Sequence, residues 1–382
     1  MKIAYVAASV IPSWTANSVQ VMKVCQALTQ NGESVTLYVP GTEVSTWAEL
    51  SKHYGIKTKF PINWIKYSPV FRKVDFVFKS LLMAKNQHSD LVYTRLLWAA
   101  VLGSLFKLAV ILELHDRPVG RMGPRLLKWF SRSKCKKRIV LITHALKTIL
   151  ENENALLFNP DEVVIAPDGV DLERYEDQIT PSQARMKLGL EDRLTAVYTG
   201  GFYEGRGLDT LMLLAQSFPL IQFVWVGGKE EFVQKWQQKI AAAGVKNVFL
   251  PGFVINQDIP LYQRAADILL MPYSKSIAGS SGGNIADVSS PMKMFEYMAA
   301  GRAILTSNIP VLREVLTDQN ALFYEPEDFD DLKRKFSHLV EDESLRKKFS
   351  FQSAADVRQY SWSERMRGIL LNFGKNYEVI QE

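Results

Sequence analysis

The stretch SSPMKMFEYMAAG, residues 289–301, places a lysine and a glutamate in an otherwise apolar, helix-forming segment. Ser290 suits an N-cap, Pro291 the first helical position and Gly301 a stop, so the segment reads as a helix over 291–300. Lys293 and Glu296 are three apart and share one face, while Met294, Met298 and Gly301 make an apolar side. A cation in the first turn opposes the helix dipole. An anion is its natural partner, and the free N–H groups of Met292 and Lys293 can face the same anion. One turn on, a carboxylate can accept two hydrogen bonds from vicinal hydroxyls such as those of a ribose. The same spacing also suits a surface Lys–Glu pair worth about 0.3 kcal/mol.

A second stretch, YTGGFYEGRGLDTL (198–211), ends a strand in Gly200-Gly201 and opens a helix near Gly207. Glycine lets the backbone approach a ligand, and the helix start offers N–H groups and positive dipole to an anion. Arg206 stands at that start, where helix stability does not explain it. An exposed loop arginine is the plain alternative. The pattern is neither a Walker loop nor the dinucleotide glycine fingerprint. In the first half, LELHDRP (112–118) ends a strand in His115, and LVYTR (91–95) ends one in Thr94 and Arg95. His144, in THAL, reads as packing.

These residues sit at the ends of strands in a repeating strand–helix series. KIAYVAA (2–8), SVTLYVP (34–40), LVYTR, AVILELH (109–115), RIVLIT (138–143) and EVVIAP (162–167) read as strands of a first sheet, with a helix over 18–31. Continuous Val/Ile/Leu runs imply strands covered on both faces, hence parallel sheets. After Pro167 the series restarts with TAVYTGG, IQFVWVGG, NVFLPGF, ILLMPY and AILTSN. A chain of 382 residues is too long for one core, and two α/β domains are expected, 1–167 and 168–363, with a C-terminal helix over 364–382 packing back on the first. Open sheets of this kind bind ligands at the carboxyl ends of their strands, here at a central cleft that both sheets face.

Composition narrows the class. No run approaches 18 apolar residues, so no spanning helix is expected. Two cysteines, Cys25 and Cys135, make no disulfide framework and suggest a reducing, cytoplasmic setting. Residues 1–170 hold 22 Lys/Arg against 12 Asp/Glu, and the remainder 24 against 28, a split of +10 and −4 behind the net +6. Nine of those basic residues lie in 117–138, with Leu126, Leu127, Trp129 and Phe130 interleaved and no acid. That pattern suits an anionic membrane surface or acceptor, or a solvated helix with a snorkelling basic face. No recognition motif supports nucleic acid. The acidic run EDFDD (327–331) reads as a solvated loop, and no His/Asp/Glu cluster has convincing metal spacing.

Over nearly its whole length the chain resembles glycosyltransferase family four, retaining nucleotide-sugar enzymes with the GT-B fold. VVIAPDGVDLERY (163–175) is similar to the family's interdomain crossing, with Asp168 where Asn is usual. YTGGFYEGRGLDTL resembles its phosphate loop. FVWVGG, NVFLPGFV and IPLYQRAADILLMPY follow in the family's order, and SPMKMFEYMAAGRAIL resembles the helix whose glutamate binds the donor ribose, here Glu296. SWSERM (361–366) resembles the start of the C-terminal return helix. The resemblance implies donor-binding roles for Gly200, Gly201, Arg206, Gly227, Phe253, Val254, Ser290, Pro291, Met292, Lys293 and Glu296. The loop at Gly283 and Asn284 would hold sugar hydroxyls or close as a lid. His115 would stand against the donor sugar, and Asn17, Ser18, Thr94 and Arg95 on the acceptor side.

Three positions depart from the pattern. The family's phosphate-loop Arg position is Gly201 and its Lys position Arg206, so Lys293 is expected to supply the missing cation. The position seven residues before Glu296, a glutamate in the family, corresponds to Val288, with Asp287 adjacent. The first-domain glycine pair is replaced by Asn17-Ser18. The resemblance implies transfer of a hexose from a nucleotide sugar, UDP favoured, to a saccharide or lipid-linked acceptor, without cofactor or obligatory metal. With no assured carboxylate nucleophile, front-face substitution is expected, stabilised by His115, Arg206 and Lys293. A UDP-sugar 2-epimerase of the same architecture and a non-catalytic nucleotide-sugar sensor are the rival readings.

Overall fold

The computed structural model describes residues 1–42, 45–68, 70, 74–154, 158–177, 179–277 and 284–373. The chain divides into two units, one of Met1–Asp168 with the chain from Trp362 onward, the other Gly169–Ser361.

The first unit is built on seven parallel strands: β1 (Lys2–Val6), β2 (Ser34–Pro40), β3 (Ile62–Ile65), β4 (Leu91–Thr94), β5 (Ala109–Leu114), β6 (Lys137–Leu141) and β7 (Val163–Ile165). Their order is β3-β2-β1-β4-β5-β6-β7. Every residue of β4, β5 and β6 is buried, as expected of strands covered on both faces. That burial includes Glu113, Lys137 and Arg138, which therefore need partners inside the fold. β3 was not read from the sequence. It is four residues long and mostly half-buried at the sheet edge, too short to show a period. The first helix spans Ala16–Gln30, with Thr15 as its cap accepting from the Ser18 N–H.

The second unit carries β8 (Thr195–Thr199), β9 (Gln222–Val226), β10 (Val248–Gly252), β11 (Ile268–Met271), β12 (Ala303–Ser307) and β13 (Leu322–Tyr324), in the order β10-β9-β8-β11-β12-β13. Tyr198, Phe223 and Trp225 from these strands pack with Phe336 of the helix Phe329–Glu341 in one core. That helix corrects the reading of EDFDD as a solvated loop. Asp328 caps it by accepting from the Asp331 N–H at 2.9 Å, and buried Asp331 accepts from the Glu325 N–H at 2.8 Å. Acids cluster there because a helix start needs acceptors for its free N–H groups.

Each sheet reverses its strand order once, between β1 and β4 in the first unit and between β8 and β11 in the second. The carboxyl side of such a reversal is where doubly wound sheets take ligands. Among the described residues no helix is long and apolar enough to cross a membrane.

Candidate functional site

In the second unit, the reversal brings the loop after β8 against the loop after β11. The Ser274 N–H donates to the Gly205 carbonyl at 3.1 Å. Gly207 caps the helix Leu208–Ser217 with φ +78°, and a Cβ there would lie 1.9 Å from the Pro272 carbonyl oxygen. Glycine is required by both the dihedral and the contact. Gly200, at φ +145°, has the same constraint: a Cβ would meet the Lys293 ammonium at 2.5 Å. Gly227, after β9, packs against the Gly200 carbonyl, and Gly201 against the ring of Tyr203.

Lys293 thus comes to the β8 end, as its expected role requires. It does not lie along a surface edge. Its Nζ is buried, 4.0 Å from the centroid of the Tyr198 ring and 5.4 Å from that of Tyr273, and it has no hydrogen-bond partner among the described residues. The Arg206 guanidinium stacks over the same Tyr273 ring at 5.0 Å. Burial, and after it the Arg206 charge, push the Lys293 amine well below the usual lysine range, with Glu296 pulling the other way. Two cations are therefore gathered on two tyrosine faces beside a glycine backbone.

The helix bearing Lys293 spans Met292–Ala300, one residue shorter than expected. Pro291, not Ser290, is its N-cap, in extended conformation, and no side chain caps the helix. Proline's fixed φ is compatible with that position, and Ser290 is buried one step before it. The Met294 N–H donates to the Pro291 carbonyl at 2.9 Å, and the N–H groups of Met292 and Lys293 are left to a ligand or water. Glu296 accepts a hydrogen bond from Gln263 Nε2 at 3.1 Å through Oε2. Gln263 is itself buried and fixed, accepting from the Tyr175 hydroxyl at 2.6 Å and donating to Thr199 at 3.2 Å. One oxygen of Glu296 is anchored and the carboxylate as a whole stays partly accessible. The surface-pair alternative for Lys293 and Glu296 fails, since no ion pair forms between them.

The remaining second-unit candidates are placed less centrally. Phe253, half exposed, and Val254 follow β10. Asn284 is exposed, and its side chain staples its own loop, accepting from the Ile277 and Ala286 N–H groups at 2.8 and 3.0 Å. Gly283 lies outside the described residues. Val288 is fully buried, so a packing residue fills the position of the family's first glutamate. Exposed Asp287 lines a cavity of about 270 Å³ with Asn308, Pro310 and Glu325, none of which belongs to the cation cluster.

The first unit gathers a different set. Buried Glu113 in β5 receives Gln20 Nε2 at 2.7 Å, the Tyr93 hydroxyl, His115 Nε2, and Arg365 at 3.0 and 3.3 Å. Burial works to raise its carboxyl, but Arg365 and then His115 outweigh burial and hold it well below the usual range. Burial, followed by the Arg95 charge, lowers His115. Glu113, His115 and Asp168 offer ligand atoms within 4.8 Å of one another, and the guanidinium of Arg365 faces both carboxylates, with Arg95 acting on the same group.

The other first-unit candidates are occupied structurally. Arg95 donates to Gln20 at 3.1 Å. Thr94 Oγ1 donates to the Val6 carbonyl at 2.8 Å and accepts from the Leu96 N–H. Ser18 donates to the Ser13 and Thr15 carbonyls, and exposed Asn17 accepts from the Ser9 hydroxyl. In the basic stretch, Lys137 pairs with Glu162 at 2.9 Å, and Arg138 donates to the Ile369 and Leu371 carbonyls. These two are strand residues, not part of a free cationic face. The exposed remainder, on the helix Gly123–Arg132, has Arg125, Lys128, Trp129 and Arg132 around a groove of about 430 Å³.

Sequence reading missed Gln263, Tyr198, Tyr273, Glu113 and Arg365. Glu113 was visible in principle, as a carboxylate inside the apolar strand AVILEL.

A doubly wound unit with an uncapped helix start and two cations at its reversal, half-buried Arg206 and Lys293 with its ammonium buried, has the form of a nucleotide- or phosphate-binding domain. Residues 193–342, within the second unit, match the family described as "Glycosyl transferases group 1". A phosphatidyl-myo-inositol mannosyltransferase of Mycobacterium tuberculosis is 28% identical over 212 residues, 53% of this chain and 51% of that protein. The chain spans about half the length of the curated relatives it matches. Among solved structures, Anabaena HepE in complex with UDP superposes with a TM-score of 0.74 at 16% identity, covering 97% of this chain and 98% of that one. WaaG, a glycosyltransferase involved in lipopolysaccharide biosynthesis, gives 0.66 at 16% identity, covering 97% and 100%. The fold is the GT-B fold expected from the sequence.

Proposed function

We propose that the protein is a retaining glycosyltransferase that moves a hexose from a nucleoside-diphosphate sugar to a saccharide or lipid-linked saccharide. The observation that carries the reading is the buried Lys293 ammonium, which meets no acceptor among the described residues, at the Gly200 backbone with Arg206 on the same tyrosine ring. A buried charge needs a partner, and a diphosphate supplies two. Glu296, one helical turn on with one oxygen anchored by Gln263, is placed to accept from ribose hydroxyls. UDP is favoured because the structurally similar HepE was solved with UDP.

In this reading the glycosidic C–O bond to the diphosphate breaks as the acceptor oxygen attacks the same face, and a diphosphate oxygen takes the acceptor proton. Arg206, Lys293 and the helix starts at Leu208 and Met292 stabilise the charge that develops on the leaving group. The protein's contribution is then positioning and electrostatics, with no covalent intermediate and no obligatory metal. The lipid-linked class of acceptor is favoured by the groove at Arg125, Lys128, Trp129 and Arg132, which presents cations and an aromatic ring together.

A panel of nucleoside-diphosphate hexoses tests the reading. The right donor raises the unfolding temperature, with about 2.7 kcal/mol expected at a hundredfold excess over Kd. Release of nucleotide dependent on an acceptor supports transfer. Conversion of the sugar with the nucleotide still attached would instead mean an epimerase, and binding without turnover a sensor.

A further inference from the structure

We propose that Arg365 is a positioning residue for His115: by saturating the Glu113 carboxylate it obliges that carboxylate to accept, and so fixes the hydrogen of the imidazole on Nε2. Arg365 stands on the helix Trp362–Leu370, more than two hundred residues from β5, and is buried. Its Nη2 and Nη1 meet the two oxygens of Glu113 at 3.0 and 3.3 Å. Its Nε donates to the Pro167 carbonyl at 2.6 Å and Nη2 to the Ala166 carbonyl at 3.1 Å. One planar fork thus ties together the last residues before the chain leaves the first unit, the first helix after it returns, and the end of β5.

Glu113 is surrounded by the donors Gln20, Tyr93 and Arg365, and His115 Nε2 lies within hydrogen-bond reach of it. An ionised carboxylate can only accept, so the His115 nitrogen that meets it must carry the hydrogen. A protonated Glu113 could donate instead, and the tautomer would no longer be dictated. Arg365 removes that choice, because a bidentate guanidinium keeps the carboxylate ionised in a buried setting. The histidine at the strand end is then presented as a neutral ring of one tautomer. Which ring nitrogen carries the proton decides what a histidine can offer a substrate.

The inference rests on the glycosyl-transfer reading only for what His115 does, not for how it is held. The test is two-bond nitrogen–proton NMR of the histidine rings in the full-length protein at neutral pH. His115→Gln identifies the signal among the five histidines. The wild type is expected to show one His115 tautomer, protonated on Nε2. Arg365→Lys, which keeps a charge beside Glu113, should preserve it. Arg365→Met alone leaves buried Glu113 without its cation and destabilises the fold, so the decisive variant is Arg365→Met with Glu113→Gln, which removes both charges. There the carboxamide can turn either way, and a second tautomer should appear. With the cognate donor, kcat should fall on the order of tenfold or more while KM moves less than about threefold. A wild-type His115 protonated on Nδ1, or an unchanged single tautomer in the double variant, would overturn the proposal. If no donor is ever turned over, the glycosyl-transfer reading fails and the tautomer arm still decides the role of Arg365.

Discussion

The molecule buries charge in two places and treats it in opposite ways. In the first unit, the Glu113 carboxylate is met by Arg365, Gln20, Tyr93 and His115, with its charge matched inside the fold. In the second, the Lys293 ammonium is buried against aromatic faces with Arg206 nearby and no acceptor among the described residues. A paired buried charge is a device of the fold itself, since its partners explain it. A buried cation with no acceptor is not explained by the fold, because alone it costs stability. The contrast separates residues that hold a site from residues that await a ligand, and it does so without reference to any relative.

The largest expected effect breaks the contrast at its paired end. Arg365→Met leaves Glu113 buried without its cation and should lower unfolding free energy by about 3–5 kcal/mol. Lys293→Met removes a charge that has no acceptor, and should leave stability unchanged or raise it. Denaturant titration of both variants measures this. Equal destabilisation would erase the distinction drawn here.

A smaller effect sharpens the ligand side. Glu296→Ala should weaken bare nucleoside and nucleoside diphosphate alike, by about 1.5–3 kcal/mol, because ribose hydroxyls belong to both. Calorimetry decides it, and unchanged affinity for the nucleoside would remove Glu296 from the site.

Proton linkage gives the next. Lys293 sits well below the usual lysine range in the free protein, chiefly through burial. A phosphate beside it should raise that value, so diphosphate binding takes up a proton and tightens as pH falls between the complexed and free pKa values, by at most about 1.4 kcal/mol per pH unit. For folding the sign is opposite. The unfolded chain holds the extra proton, so the Lys293 contribution to stability rises with pH through the window between the depressed and the ordinary value. Binding enthalpy that does not vary with the ionisation enthalpy of the buffer would contradict the uptake.

The smallest effect concerns the basic helix. Single changes of Arg125, Lys128, Arg132 or Lys134 to Gln should each weaken binding to anionic vesicles by about 1 kcal/mol at low salt, with donor affinity unchanged. Sedimentation measures it, and a wild type that leaves anionic vesicles in the supernatant would make the face merely solvated. Lys137 and Arg138 are unsuitable for that test, since both are committed to contacts inside the fold.

Much of this was legible in residue order. The strand series, the parallel sheets and the convergence of Gly200, Arg206, Lys293 and Glu296 all follow from short-range patterns: apolar runs, a glycine pair at a strand end, a three-residue spacing on a helix. Depth was not legible. Spacing put Lys293 and Glu296 on one face but could not say that Nζ lies under Tyr198 and Tyr273, because one ring comes from β8 and the other from the loop after β11. The pairing of Glu113 with Arg365 spans 252 residues, and a single sequence carries no record of such a contact. Basic residues misled for a related reason. Lys137 and Arg138 look like a surface run with Lys134 and Lys136, yet the strand that begins at Lys137 turns them inward, where Glu162 and two carbonyls receive them. Ser290 looked like a cap by type, but the chain enters the helix one residue later, at Pro291.

The account turns on Lys293 as the phosphate cation, and one comparison reaches it directly: calorimetric titration of wild type and Lys293→Met with UDP and with uridine. A charge-assisted contact to phosphate predicts that the variant loses about 1.5–3 kcal/mol of UDP affinity and keeps its uridine affinity. Equal losses for the two ligands, or no loss for UDP, would contradict it.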